Sequence, residues 1–395
     1  MKILQINNYS FNRGGAESVF FNLVSLLKSK GHWVKTLSMD FGEKNSPLVD
    51  FTIPRNEFFF NRFYSIYAKK FINEILEKEK PDIVHIHNLV GGISFSILPA
   101  IKKFKIPIVA SIHDFRLLCP VGIMVNGKGE ICEKCKTRKY YQGIVNSCHP
   151  GGRFKSSVVV FESYLRDFFL SHKKFFDAYL FVSNFTKQKF LEFYPELNDK
   201  AYVLYNFNLN FDDKIIRGNY FLYFGRYDRE KGLFTLLNAF QQLPEYKLIL
   251  LGRGEFSKKI DDFNLNKNIF DLGFKTGEDL KNIIKNSEYV IIPSECYENL
   301  PMSAVESLSL SKPIITSGLG GLSELLDNSR NGFKFELKNV KSLIKILKKS
   351  KQISDEEYEI LSRNSYAFAK SNFDAESYYQ KLIRIYEALI RKDVG

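Results

Sequence analysis

Short apolar runs that end in a glycine or a polar residue and pass straight into an amphipathic helix recur along this chain. Residues 2–7 lead through Asn12-Arg-Gly-Gly-Ala-Glu17 into a helix with Val19, Leu23, Leu26 and Leu27 on one face, closed by Gly31-His32. Pro81-Asp-Ile-Val-His-Ile-His87 and Pro107-Ile-Val-Ala-Ser-Ile-His113 are two more such runs, and residues 220–225, 246–251, 269–274, 288–293 and 313–316 continue the series. Strands separated by helices pair in parallel, so the pattern points to an α/β fold with parallel sheets.

At 395 residues the chain exceeds what one core usually holds, and two domains are expected, at 1–207 and 208–372, with the polar stretch 208–218 as the connection. Its 45% hydrophobic and 26% charged content is ordinary for a soluble globular protein. No run of about 18 apolar residues occurs, and residues 1–7 read as a strand and not as a signal peptide. The expected location is the cytoplasm, or the inner face of its membrane. A formal charge of +13 attracts either nucleic acid or an anionic membrane. No zinc-finger, RNP or helix-turn-helix pattern accompanies it, so nucleic acid is not an expected partner.

The richest chemistry lies between Glu298 and Glu324. After the strand 288–293, Pro301 suits the first turn of a helix, which places Glu298 in the loop before it. Glu306 then lies roughly 7–8 Å along the helix axis. The free N–H groups of the helix start and its positive dipole end add donors there. A second cradle, Gly318-Leu-Gly-Gly321, follows the strand 313–316. Arg226 and Lys231 sit five residues apart in the loop after strand 220–225, just before a helix with Leu233, Leu236, Leu237 and Phe240 in register. Two cations so placed can neutralise a diphosphate from two sides, whereas the plain alternative is a loop of solvated charges.

The Glu-x7-Glu spacing, the Lys312-Pro-Ile strand, the Gly320-Gly-x-x-Glu324 turn and the Gly225-Arg-x4-Lys-Gly232 stretch together resemble the C-terminal domain of retaining GT-B glycosyltransferases of the family-4 type. The resemblance implies two Rossmann-like domains facing a cleft: an acceptor-side domain over 1–207, a nucleotide-sugar-binding domain over 208–372, and a final helix, 373–395, that crosses back to the first. It implies that Glu298 lies beside the donor sugar and Glu306 holds the ribose hydroxyls, with Asn299 and Leu300 also at the donor. It implies that the loop holding Gly14 and Gly15 faces the donor across the cleft, and that His113 meets the donor sugar. Ser183 and Thr186 match a serine-rich strand end of the family, or equally cap the helix that follows.

Two features lie outside that frame. Cys119, Cys132, Cys135 and Cys148 are spaced C-x12-C-x2-C-x12-C in an insertion at 119–150, where four thiols in a reducing compartment point to structural zinc more than to disulfides. Residues 55–79 mix Phe58, Phe59, Phe60, Phe63, Tyr64 and Tyr67 with Arg62, Lys69 and Lys70, which suits either peripheral contact with an anionic membrane or an amphipathic core helix.

The implied reaction is transfer of a sugar from a nucleoside-diphosphate-sugar to a hydroxyl of a glycan or lipid-linked glycan, with retention, in bacterial surface polysaccharide synthesis. Arg226, Lys231 and the Gly14-Gly15 amides would stabilise the leaving diphosphate, and no catalytic metal is expected because no Asp-x-Asp motif stands in a suitable context. Two rivals are a sugar-nucleotide 2-epimerase of the same fold and a non-catalytic zinc-dependent binding protein.

Overall fold

All four residues from Ile3 to Ile6 in strand β1 (Lys2–Tyr9) are buried, on both faces, as in a strand covered by helices on each side. β1 lies inside a parallel sheet of the computed structural model, which describes residues 1–55, 64–90, 92–257, 260, 267–327 and 330–393. Its partners are β2 (Trp33–Asp40), β3 (Phe51–Pro54), β4 (Ile83–Ile86), β5 (Ile108–Ile112), β6 (Ala178–Phe181) and β7 (Ala201–Val203). The order is β3-β2-β1-β4-β5-β6-β7, so the winding reverses between β1 and β4.

A second parallel sheet repeats the scheme with β8 (Tyr220–Arg226), β9 (Lys247–Arg253), β10 (Ile269–Asp271), β11 (Tyr289–Ile292), β12 (Ile314–Thr316) and β13 (Gly332–Lys334). Its order, β10-β9-β8-β11-β12-β13, reverses between β8 and β11. Both sheets have the doubly wound arrangement in which ligands bind beyond the carboxyl ends of the strands at the reversal. Phe221, Leu236, Leu250, Tyr289, Ile291 and Tyr358 fill the core of the second sheet.

The chain divides into two compact units, Met1–Tyr205 with the stretch from Ala375 onward, and Asn206–Asp374. The two segments that pass between units lie side by side in the second, where the Asn208 N–H donates to the Phe373 carbonyl at 2.9 Å. The stretch expected as a free connection is anchored there too: the Asp212 N–H donates to the Ser309 carbonyl at 3.0 Å. The last helix, Ala375–Asp393, packs in the first unit, with Tyr379 against His32 at 2.9 Å and the Tyr386 hydroxyl on His85 at 2.6 Å.

Of the aromatic-basic segment, residues 56–63 lie outside the described residues, Phe58, Phe59, Phe60, Arg62 and Phe63 among them. Its described part is the helix Ile66–Glu79, capped by Ser65, which buries Ala68, Ile72, Ile75 and Leu76 and exposes Ile66 and Tyr67. That is the pattern of an ordinary amphipathic core helix. No helix among the described residues is long and apolar enough to cross a membrane.

Candidate functional site

In the second unit the loops that leave β8 and β11 flank the reversal point. Gly232 has φ +70°, and a Cβ there would lie 2.0 Å from the Pro293 carbonyl oxygen, so glycine lets the two loops close on each other. The Glu295 N–H donates to the Glu230 carbonyl at 2.7 Å, and the Thr235 hydroxyl to the Glu295 carboxylate at 2.6 Å. Lys231 Nζ is thereby brought 2.6 Å from Glu298 Oε1, which also accepts the Ser294 hydroxyl.

Glu298 is only 8% exposed. Burial works against both charges, yet Lys231 and Ser294 hold the Glu298 carboxyl below its ordinary value, and Glu298 holds the Lys231 ammonium above its own. A buried ion pair persists on such terms only when close and well hydrogen-bonded.

The glycine turn after β12 completes the frame. Gly320 has φ +69° and a Cβ there would meet the Glu298 carbonyl oxygen at 2.5 Å, while the Gly321 N–H donates to that oxygen at 2.6 Å. The turn and Glu298, parts of one sequence stretch, touch directly. Pro301, expected inside the first turn, is the cap residue before the helix Met302–Ser309. Glu306 on that helix is half-buried, its carboxyl has no hydrogen-bond or ion-pair partner among the described residues, and burial pushes its pKa up to about 7. Asn299 is half-buried beside Glu298, and the Leu300 side chain is 5% exposed, so it is the Leu300 backbone that can meet a ligand. Arg226 pairs with Asp228 at 2.7 Å and Glu230 at 3.6 Å, yet its side chain is 54% exposed.

In the first unit the strand-end histidines form a buried chain. His87 Nε2 lies 3.0 Å from Gln5 Oε1, and His87 Nδ1 lies 3.0 Å from His113 Nε2. With the Gln5 amide oxygen as acceptor, the proton of a neutral His87 is on Nε2. His87 Nδ1 is then the acceptor for a proton on His113 Nε2, which leaves His113 Nδ1 unprotonated. Burial depresses all three imidazoles, His85 to about 3, His113 to about 4, and His87 well below its usual value, so neutrality holds at ordinary pH. The chain continues from Gln5 to His85, which touches Ser111 at 2.8 Å and Tyr386 at 2.6 Å. His87 therefore orients His113 and is itself turned inward.

Gly14 caps the helix Gly15–Ser29 in an extended conformation, φ −177°, that any residue adopts, and a Cβ there would meet nothing closer than 3.7 Å. The local backbone does not demand glycine at that position; its contribution is open space over the amides of the helix start. Ser183 caps the helix Asn184–Phe193 by accepting the Thr186 N–H at 3.1 Å, so the structure shows the capping alternative for Ser183, whereas Thr186 lies inside the helix.

The cysteine segment does not form the expected zinc site. Among the described residues no group of three or more histidine, cysteine, aspartate or glutamate side chains could hold a metal ion. Cys119 and Cys135 bond thiol to thiol instead. That bond, with N–H donors from Val121, Gly122 and Met124, draws Cys119 down to about 7, and Cys135 is pushed up by the same bond and by burial. Cys132 and Cys148 are less buried and near enough for their charges to act on Cys135, and burial with Cys119 and Cys132 pushes Cys148 up to about 11.

Comparison with known proteins bears on both units. Residues 13–207 match the model described as Glycosyltransferase Family 4, and residues 209–368 the model described as Glycosyl transferases group 1. An uncharacterized glycosyltransferase of Methanocaldococcus jannaschii is 26% identical over 398 residues, 98% of this chain and 99% of the relative. The chain belongs to the group 1, family 4 type of glycosyltransferases. The structure of Anabaena HepE in complex with UDP matches this transferase with TM-score 0.69 at 17% identity, covering 98% of this chain and 100% of HepE, and the two share the GT-B fold. Over a shorter stretch, 127 residues covering 31% of this chain and 32% of the relative, the transferase is 30% identical to the Escherichia coli UDP-Gal:α-D-GlcNAc-diphosphoundecaprenol α-1,3-galactosyltransferase.

Three contributors to the transferase's candidate site escaped the sequence reading. Ser294 and Gln5 carry no signal of their own, because their partners are set by which strands are neighbours. Tyr386 lies 381 residues from Gln5 in sequence, and only the return of the last helix brings the two together.

Proposed function

We propose that this transferase moves a sugar from a nucleoside-diphosphate-sugar to a hydroxyl of a glycan or lipid-linked glycan, with retention of anomeric configuration. The observation that carries the reading is the convergence of Lys231, Glu298 and Arg226 on the carboxyl ends of β8 and β11, at the sheet reversal, with Glu306 on the adjoining helix. On this reading Lys231 and Arg226 take the diphosphate, whose negative charge grows as the sugar departs. Glu298, released from Lys231, orients the sugar hydroxyls, and Glu306 accepts the ribose hydroxyls. In the first unit, the amides at Gly14 and Gly15 serve as phosphate donors, and His113 accepts a sugar hydroxyl on its unprotonated Nδ1. The Escherichia coli relative, whose name joins a UDP-sugar to a lipid diphosphate, supports a donor and an acceptor of those classes.

The test is incubation with UDP-sugars and a polyprenyl-diphosphate-linked sugar, with the product's anomeric configuration read from its NMR coupling constants. An α-linked product from an α-linked donor is expected, and Glu298→Gln should reduce the rate about 100-fold or more with an unchanged circular-dichroism spectrum. A β-linked product would contradict retention. Epimerisation of the donor without any acceptor would contradict transfer itself.

A further inference from the structure

The helix Gly152–Phe169 is built inside out. A surface helix normally turns its apolar stripe to the core and its polar face to water. Here the buried positions are Ser156, Val160, Glu162, Ser163, Arg166 and Asp167, all but one of them polar. On the outer side Phe154 is 82% exposed, Phe161 52% and Phe168 78%, at a spacing of seven residues, with Phe169 68% exposed beside the last. Residues seven apart share a face, so this aromatic line runs about 21 Å along the helix. Tyr164 extends it sideways to Tyr141 and Val145, which are 48% and 60% exposed, and the Tyr164 hydroxyl accepts the Tyr141 N–H at 3.2 Å.

The helix cannot roll over to hide these rings. Arg166 Nε donates to Asp167 Oδ1 at 2.9 Å and its Nη1 to the Arg116 carbonyl at 2.8 Å. The Tyr140 hydroxyl donates to Asp167 Oδ2 at 2.7 Å. Rotation would break this buried network and leave charges unpaired, which costs more than exposing phenyl rings. The outward aromatic face is thus imposed by the inward polar one.

Charge decides what covers it. Between Lys134 and Lys174 the only carboxylates are Glu162 and Asp167, both buried, whereas Lys134, Lys136, Lys139, Arg153, Lys155 and Lys174 are exposed. A second copy of the chain would bring an identical positive rim against this one, on a molecule already at +13. An anionic bilayer supplies the complement to both parts, acyl chains for the rings and phosphates for the cations.

We propose that the outer face of the Gly152–Phe169 helix docks on an anionic membrane, with Phe154 and Phe168 seated at the headgroup boundary and Arg153, Lys155 and Lys174 on lipid phosphates. The inference stands apart from the identity of donor and acceptor. It concerns a surface separate from the described helix Ile66–Glu79, which turns its apolar face to the core.

The test is co-sedimentation of the full chain with vesicles of phosphatidylcholine alone or mixed with phosphatidylglycerol, for the wild type and for Phe154→Ser/Phe168→Ser. Both rings are exposed, so the variant should melt like the wild type, which a thermal scan checks. The expected result is binding to the anionic vesicles about tenfold or more tighter than to the neutral ones, lost in the variant. Failure of the wild type to bind anionic vesicles would overturn the proposal, as would equal binding by the variant. A wild-type dimer that the variant converts to monomer, with no vesicle binding, would assign the face to self-association instead.

Discussion

Glu306 is an acid whose charged form has no partner, and its pKa of about 7 gives the site a pH dependence with a definite sign. Its folded-state pKa is raised, so the native state holds a proton the unfolded chain has lost between the ordinary glutamate value and about 7, and this residue's contribution to stability falls as pH rises through that window. On the proposed role of Glu306 ligand affinity runs the other way, because only a carboxylate would accept both ribose hydroxyls. Nucleotide affinity measured by calorimetry should therefore rise as pH passes upward through about 7, and Glu306→Gln should bind more weakly with a flat profile. An unchanged profile in the variant would remove Glu306 from the nucleotide site. At this scale the local placement of side chains was readable: Arg226 ends β8, Lys231 and Glu298 lie in the loops before helices, and Glu306 lies inside the helix that follows Glu298. The 2.6 Å pair of Lys231 with Glu298 was not readable, since it depends on β8 and β11 being neighbours.

Loops at the strand ends do the positioning, and two glycines of one unit separate strain from placement. Gly320 and Gly273 both have positive φ, +69° and +68°, but a Cβ at Gly273 meets nothing within 4 Å, whereas one at Gly320 strikes the Glu298 backbone. Gly273→Ala should cost only backbone strain, about 1–2 kcal/mol by urea denaturation. Gly320→Ala should cost that and also displace Glu298, lowering nucleotide affinity about tenfold or more. Equal nucleotide binding by the two variants would show that the glycine turn does not position the site. Alternation of strand and helix was plain in the sequence because each apolar run is short and ends in a turn residue. Which face of the Gly152–Phe169 helix turns inward was not, because the Arg166, Asp167 and Tyr140 network that claims the interior is assembled from separate segments. The cysteine spacing suggested zinc, but spacing along the chain does not fix where thiols point, and two of the four turned to each other.

At the level of the whole molecule, the sequence carries two copies of one winding scheme, and each unit presents its candidate residues at its own sheet reversal, Gly14 and His87 after β1 and β4, Arg226 and Glu298 after β8 and β11. The chain passes out of the first unit at Asn206 and back at Ala375; the expectation set the first passage at the polar stretch 208–218 and took the second, at 373, from the family resemblance. What composition could not supply is that the returning helix carries Tyr386, on the hydrogen-bonded chain that leads to His113. The central claim, that the second unit holds a nucleoside diphosphate at the β8–β11 reversal, is tested most directly by thermal stability of the purified protein with UDP, GDP and ADP, for the wild type and for Arg226→Ala. Arg226 is more than half exposed, so its removal leaves the fold intact. Binding to the native state raises the melting temperature by mass action. One nucleotide should stabilise the wild type and lose that effect in the variant; no shift with any of the three, or an equal shift in both proteins, would contradict the account.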